Sequence, residues 1–131
     1  MLKQGLLGKE QIIVNHRNCA LSMGSGSLEV FATPSMIALM ECAAANSVKN
    51  HLEPGKTTVG VSIDAKHVSA TPLGMTVSCE SELVEVDGKR LVFKITAYDK
   101  CGVIGTANHE RMIIDAKRFM EKAASKKEIQ S

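Results

Sequence analysis

Three residues in this chain have types and settings that suit acyl transfer or cleavage: Thr33, Glu41 and His67. A threonine hydroxyl becomes a nucleophile once a base takes its proton, histidine is the usual base, and a carboxylate can orient the histidine or activate water. Thr33 opens Thr33-Pro34-Ser35-Met36, which reads as a helix start. The hydroxyl suits an N-cap, and the proline follows at the first helical position, where its missing N–H costs nothing. Free N–H groups and the dipole at such an end favour an oxyanion. His67 closes an alternating stretch just before a turn, where a rigid scaffold commonly presents reactive groups. Taken alone, His67 is explained more simply as a surface histidine.

Glu41 falls inside the apolar arc of the same helix, near its edge. A carboxylate there is costly to desolvate unless something pairs with it. An edge glutamate whose head reaches water accounts for the position equally well. Thr33 and Glu41 are eight residues apart, about 12 Å along one helix axis. Short side chains cannot touch across that distance, so a compact triad is not established. Either His67 or a substrate bridges them, or they belong to a line of polar groups along the pocket.

These residues need elements to hold them. From Thr33 the chain reads as one long helix that should stop near His51 or Leu52, before Pro54-Gly55. At about 100° per residue, Met36, Ile37, Met40, Ala44, Val48 and Leu52 fall in one apolar arc. The low-bulk run Cys42-Ala43-Ala44-Ala45 would let another layer approach closely.

The rest of the chain alternates like strands. Residues 1–10 are a leader, and Glu10 to Leu21 is a plausible first strand. Thr57 to His67 sets Val59, Val61, Ile63 and Ala65 against Thr58, Gly60, Ser62 and Asp64. Met75 to Val86 and Lys89 to Asp99 are joined by the turn pair Asp87-Gly88, and Val103 to Ile114 is the last strand. Asp115 to Ser131 reads as a charged helical tail in which Phe119 and Met120 pack back. Five strands at about 4.8 Å span about the length of a helix of roughly 17 residues, so one antiparallel sheet can curl around it. The edge of such a sheet calls for covering, commonly by a second copy.

Whole-chain properties narrow the classes. At 131 residues, 44% hydrophobic and 23% charged, this is a globular domain and not a disordered chain. A net charge of +2 with scattered basic residues does not suggest nucleic acid. No stretch is long and apolar enough to span a membrane, and the N-terminus lacks an export signal. A cytoplasmic location follows as the expectation. Cys19, Cys42, Cys79 and Cys101 show no C-x-x-C spacing, so four free thiols are expected, with no metal and no cofactor.

In order and spacing, several segments together resemble the fluoroacetyl-CoA thioesterase-like family of hot-dog thioesterases. They are Ala32-Thr33-Pro34-Ser35-Met36, Glu41, Val59-Gly60-Val61 through His67, and Ala70-Thr71-Pro72-Leu73-Gly74-Met75-Thr76-Val77. The match continues through Glu82–Phe93, Ala97-Tyr98-Asp99 and Gly105-Thr106-Ala107-Asn108-His109-Glu110-Arg111. The resemblance implies an α+β hot-dog fold, with an antiparallel five-stranded sheet wrapped around one long central helix. The core would span about 10–115 of a single domain, with 116–131 as the helical tail.

It also implies hydrolysis of a small acyl-CoA thioester at the interface of a homodimer or higher homo-oligomer. Thr33, Glu41 and His67 match the family's catalytic threonine, glutamate and histidine. Gly60 matches a pocket glycine, and His109 and Arg111 match an H-x-R that would contact substrate; an exposed ladder pair fits those two as well. Members specialised for a halogenated acyl group carry aromatic gating residues before the helix. Here that region is Met23-Gly24-Ser25-Gly26-Ser27, a departure that argues against a fluoroacetyl preference. The alternative from another class is a non-catalytic acyl-CoA-binding module, against which the presence of all three polar candidates counts. A hot-dog hydratase ranks last, because its acid–histidine segment is not visible.

Overall fold

The computed structural model describes residues 2–130. Its elements run β1 Leu7–Ile13, α1 Ala20–Met23, α2 Thr33–Lys49, β2 Lys56–His67, β3 Thr76–Asp87, β4 Arg90–Asp99, β5 Gly102–Asp115, α3 Ala116–Ala124 and α4 Lys126–Gln130. All strand pairings are antiparallel, in the order β1-β3-β4-β5-β2. The sheet packs its inner face on α2, the arrangement of the hot-dog fold.

The core is the meeting of that face with the apolar arc of the helix. Met36, Met40, Ala43, Ala44 and Val48 of α2 are buried against Val77, Cys79 and Leu83 of β3. Leu91, Phe93, Ile95 and Ala97 of β4 and Ile104 of β5 complete it. Each large side chain buried this way contributes about 1.5–3 kcal/mol. Gly88, at φ +60°, and Lys89 form the two-residue loop joining β3 to β4, with Asp87 and Arg90 paired across it. The turn therefore sits one residue later than the Asp87-Gly88 reading.

The first strand differs more from its sequence reading. It begins at Leu7, inside the expected leader, and stops at Ile13 instead of running to Leu21. Asparagine chemistry ends it. Asn15 Oδ1 accepts from Arg17 N (2.8 Å), Asn18 Oδ1 accepts from Asn15 N (2.8 Å), and Asn18 Nδ2 donates to the Ile13 carbonyl (3.0 Å). Such local side-chain bonds replace the ladder. The following residues turn through α1 and return by Phe31 N to the Thr71 carbonyl (2.8 Å) and Ala32 N to the Asn18 carbonyl (2.9 Å).

The face assignment of β2 also changes. The register against β5 slips between Gly60 and Ser62, so Val61 is an extra, bulged residue and stands 54% exposed. A bulge reverses the phase of alternation. Thr58 and Gly60 therefore share the helix-facing side with Ile63, Ala65 and His67, which a strict period of two does not allow. At the C-terminus, Asp115 caps α3 by accepting from Arg118 N at 3.0 Å. Phe119 and Met120 remain exposed there instead of packing back. Ser131, the last residue of the expected tail, lies outside the described residues. Cys19, Cys42, Cys79 and Cys101 are free thiols.

Candidate active site

Thr33 is the first residue of α2 and not its cap. Ala32 holds the N-cap position, and no side chain caps this end. The capping role expected for Thr33 is thus corrected, and the geometry gives the reason. The Thr33 hydroxyl is 2.8 Å from Nδ1 of His67, the last residue of β2, and so is turned away from the helix N–H groups.

Two packing features place His67 there. It pairs with Gly105 of β5, where any side chain would meet Met36 Sδ at 2.5 Å and the Lys66 carbonyl at 2.7 Å. The missing side chain lets Met36 of α2 fill the space beneath the end of the strand. Beyond His67, Val68 N donates to the Ile104 carbonyl at 2.7 Å. Thr71, fully buried, donates its hydroxyl to Asp99 at 2.8 Å and fixes the next loop.

His67 Nε2 is buried and has no hydrogen-bond partner among the described residues. Burial pushes the imidazole below its usual range, and the Ser69 backbone offsets part of that shift. A neutral ring whose Nδ1 accepts the Thr33 proton is therefore a competent base toward that hydroxyl. The pair opens into a cavity of about 300 Å³ walled by Ala20, Val30, Phe31 and Val68. Ser25, from the glycine-serine stretch, also lines it. Apart from the neutral His67, its lining contains no acidic or basic side chain.

Glu41 stands apart from this pair. Among the described residues no hydrogen bond or ion pair joins it to Thr33 or His67. Its Oε2 instead lies 3.8 Å from Arg111 Nη1, beside Gly60, where a Cβ would come within 2.9 Å of that oxygen. Arg111 is buried and donates to Thr58 through Nε (2.8 Å, hydroxyl) and Nη2 (3.0 Å, carbonyl). Its Nη1 is 3.2 Å from His109 Nε2, and His109 Nδ1 is 2.7 Å from the Ser62 carbonyl. His109 and Arg111 are therefore not an exposed ladder pair.

The structure thus brings Thr33 to His67, and Glu41 to Gly60, His109 and Arg111, but does not join the two groups within one chain. The sequence reading missed Thr58 and Ser62, the partners of Arg111 and His109. The glycine of Val59-Gly60-Val61 was the single cue to a bulge. No group of three or more His, Cys, Asp or Glu among the described residues could hold a metal ion.

Comparisons with known proteins bear on the family and the fold. The family model described as fluoroacetyl-CoA-specific thioesterase matches residues 14–117. The fluoroacetyl-CoA thioesterase of Streptantibioticus cattleyicolor is 41% identical over 98 residues, 75% of this chain and 70% of that protein. A solved structure of the fluoroacetyl-CoA thioesterase FlK superposes with a TM-score of 0.90 at 32% identity, covering 96% of this chain and 98% of that one. A thioesterase-superfamily protein of Thermus thermophilus shares the fold, with a TM-score of 0.90 at 23% identity over 98% and 95% of the two chains. Sequence match and superposition together make this chain a member of the fluoroacetyl-CoA-specific thioesterase family, hot-dog enzymes of the thioester hydrolase class.

Proposed function

We propose that the protein hydrolyses small acyl-CoA thioesters, with Thr33 and His67 as the reacting pair and Glu41 as the carboxylate of the same site. The observation that carries this reading is the 2.8 Å contact between the Thr33 hydroxyl and His67 Nδ1 at the mouth of a small cavity of mixed polar and apolar lining. His67 takes the proton of the Thr33 hydroxyl, or of a water held by it. The oxygen adds to the thioester carbonyl carbon, and the C–S bond breaks as the carbonyl re-forms. The proton returns to the departing thiolate, giving free CoA thiol. Where Thr33 is the nucleophile, water then releases the acyl group as a carboxylate. The N-terminus of α2 has no side-chain cap, so its first-turn N–H groups are available to the developing oxyanion. The site needs no metal or cofactor for these steps.

Glu41 enters through assembly. β2 is an edge strand with unpaired backbone groups along its outer side. Antiparallel pairing of two β2 strands would lay the Gly60–Glu41 corner of one copy toward the His67 end of the other. A homodimer would then unite the two groups that one chain keeps apart, and the acyl-CoA site would lie at the subunit interface. No helix among the described residues is long and apolar enough to cross a membrane, in keeping with a site that meets acyl-CoA from water. Incubation with a panel of acyl-CoAs while following free thiol tests the proposal. Multiple turnovers on short acyl groups are expected. Binding of acyl-CoA without thiol release would make the protein a ligand-binding module instead.

A further inference from the structure

Resting on the reading above, in which the cavity beside Thr33 and His67 takes the acyl group, we infer that Thr71 and Asp99 are positioning residues that set the acyl-chain length the site accepts. Neither side chain lines the cavity. Together they hold the two segments that form most of its wall.

Those segments are Val30-Phe31 and Val68-Ser69-Ala70, and neither belongs to a long element. Val68 and Ser69 follow β2, and their N–H groups donate to the Ile104 carbonyl at 2.7 and 3.3 Å. That ties the near end of the loop to β5. Thr71 ties the far end. It is fully buried, whereas Ser69, Ala70 and Pro72 around it are exposed. Its hydroxyl donates to Asp99 Oδ2 at 2.8 Å, and its carbonyl accepts from Phe31 N at 2.8 Å. A β-bridge between Val30 and Pro72 continues the pairing. One buried residue thus joins both walls.

Asp99 gives that junction a rigid base. It is the last residue of β4, and its other oxygen, Oδ1, accepts from Cys101 N at 2.8 Å. Both carboxylate oxygens are therefore engaged, one by the β4–β5 hairpin and one by the loop that walls the cavity. The wall is in this way referred to the sheet and not to its own exposed loop.

The reacting pair is held by other contacts. His67 pairs with Gly105 of β5, and Thr33 opens α2. Loss of the Thr71–Asp99 bond would therefore free Phe31 and the 68–70 loop to move outward while Thr33 and His67 keep their places. Leaving a buried partner unpaired also costs stability, so a melting temperature alone does not identify the role. Chain-length preference does. In a cavity of about 300 Å³, a wall that retreats relieves long acyl groups and leaves acetyl less well held.

The test is kcat/KM along a series from acetyl-CoA to hexanoyl-CoA for wild type, T71V, T71S, D99N and the double variant T71V/D99N. T71V keeps the shape and removes the donor. It is expected to shift the hexanoyl-to-acetyl ratio about tenfold toward the longer chain, the low end of what one methylene is worth in a fitted pocket. T71S restores the donor and should keep the wild-type ratio. T71V should add almost nothing in the D99N background, as expected of two residues that act through one bond. Equal losses on every chain length, or independent shifts in the double variant, would reduce the pair to a support of the fold and overturn the inference.

Because a valine buried against a carboxylate can cost folding, D99N carries the same test from the half-buried side of the bond. Its single amide oxygen cannot replace both carboxylate oxygens, so its ratio should move in the same direction as that of T71V. A folded D99N with the wild-type ratio would overturn the positioning role alone. Wild-type protein that releases no thiol from any member of the series would instead overturn the functional reading itself.

Discussion

The hydroxyl of Thr33 and Nδ1 of His67, 34 residues apart in the chain, meet at 2.8 Å where the start of the long helix abuts the end of an edge strand. The first expectation follows from that contact. H67A should lower kcat by about 10²–10⁴-fold, the usual contribution of a general acid–base group. T33A should also lose turnover, while T33S keeps the hydroxyl and much of the rate. Because Thr33 is not the N-cap, T33A should change stability by much less than the ~1 kcal/mol typical of a lost cap. Turnover assays beside melting curves check both points, and a fully active H67A would remove the proposed base.

The acid side of the pH profile should report His67. Burial holds its folded pKa below the ordinary value of 6.5, so kcat/KM should stay high through 6.5 and fall only at lower pH. The linkage to stability has the same sign for His67 and for His109, both of them depressed chiefly by burial. The unfolded chain binds more protons between the folded and unfolded pKa values, so stability rises with pH there. Cooling of the melting temperature as pH drops below about 6.5 should be weaker in H67A. An activity limb above the ordinary imidazole value would contradict the assignment.

Gly60 should tolerate no side chain. In G60A the new methyl would lie 2.9 Å from Glu41 Oε2, so the carboxylate must move. We expect a kcat loss on the order of 10²-fold in a protein that still folds, since the strand is exposed at that point. Circular dichroism and steady-state kinetics decide it, and unchanged kinetics would mean that this oxygen has no fixed place in the reaction.

The acyl pocket should not favour a fluorinated group. The loop from Gly24 to Ser27 is exposed and contains no aromatic residue, leaving Ala20, Val30, Phe31 and Val68 as the apolar wall. Fluoroacetyl-CoA and acetyl-CoA should therefore give similar kcat/KM values in direct competition. A preference of a hundredfold or more, about 2.7 kcal/mol of differential transition-state stabilisation, would show that another element acts as the gate.

Assembly supplies the remaining expectation. The open edge of β2 and the separation of Glu41 from His67 in one chain both call for a second copy. Light scattering at micromolar concentration should give a dimeric or larger mass. A monomer with full activity would refute the composite site.

Periodicity and turn chemistry were enough to locate the long helix and four of the five strands. These rest on local rules that a residue obeys with its neighbours: 3.6-fold spacing in Met36, Met40, Ala44 and Val48, alternation in Leu91, Phe93, Ile95 and Ala97, and proline and glycine at the ends. The motif order likewise pointed to the family, and it named Thr33, Glu41 and His67 together. The tertiary structure decided where those residues sit and what each of them touches. A threonine before a proline looks like a cap in any sequence, and only the arrival of His67 from β2 turns its hydroxyl elsewhere. Alternation carries no mark of an inserted residue, so the bulge at Val61, and with it the inward turn of Thr58 and Gly60, appears only once β2 is registered against β5. The first strand was misplaced because Asn15 and Asn18 stop it through hydrogen bonds that compete with the ladder. Each of these depends on which backbone groups a distant segment leaves unpaired, a property of packing and not of local sequence.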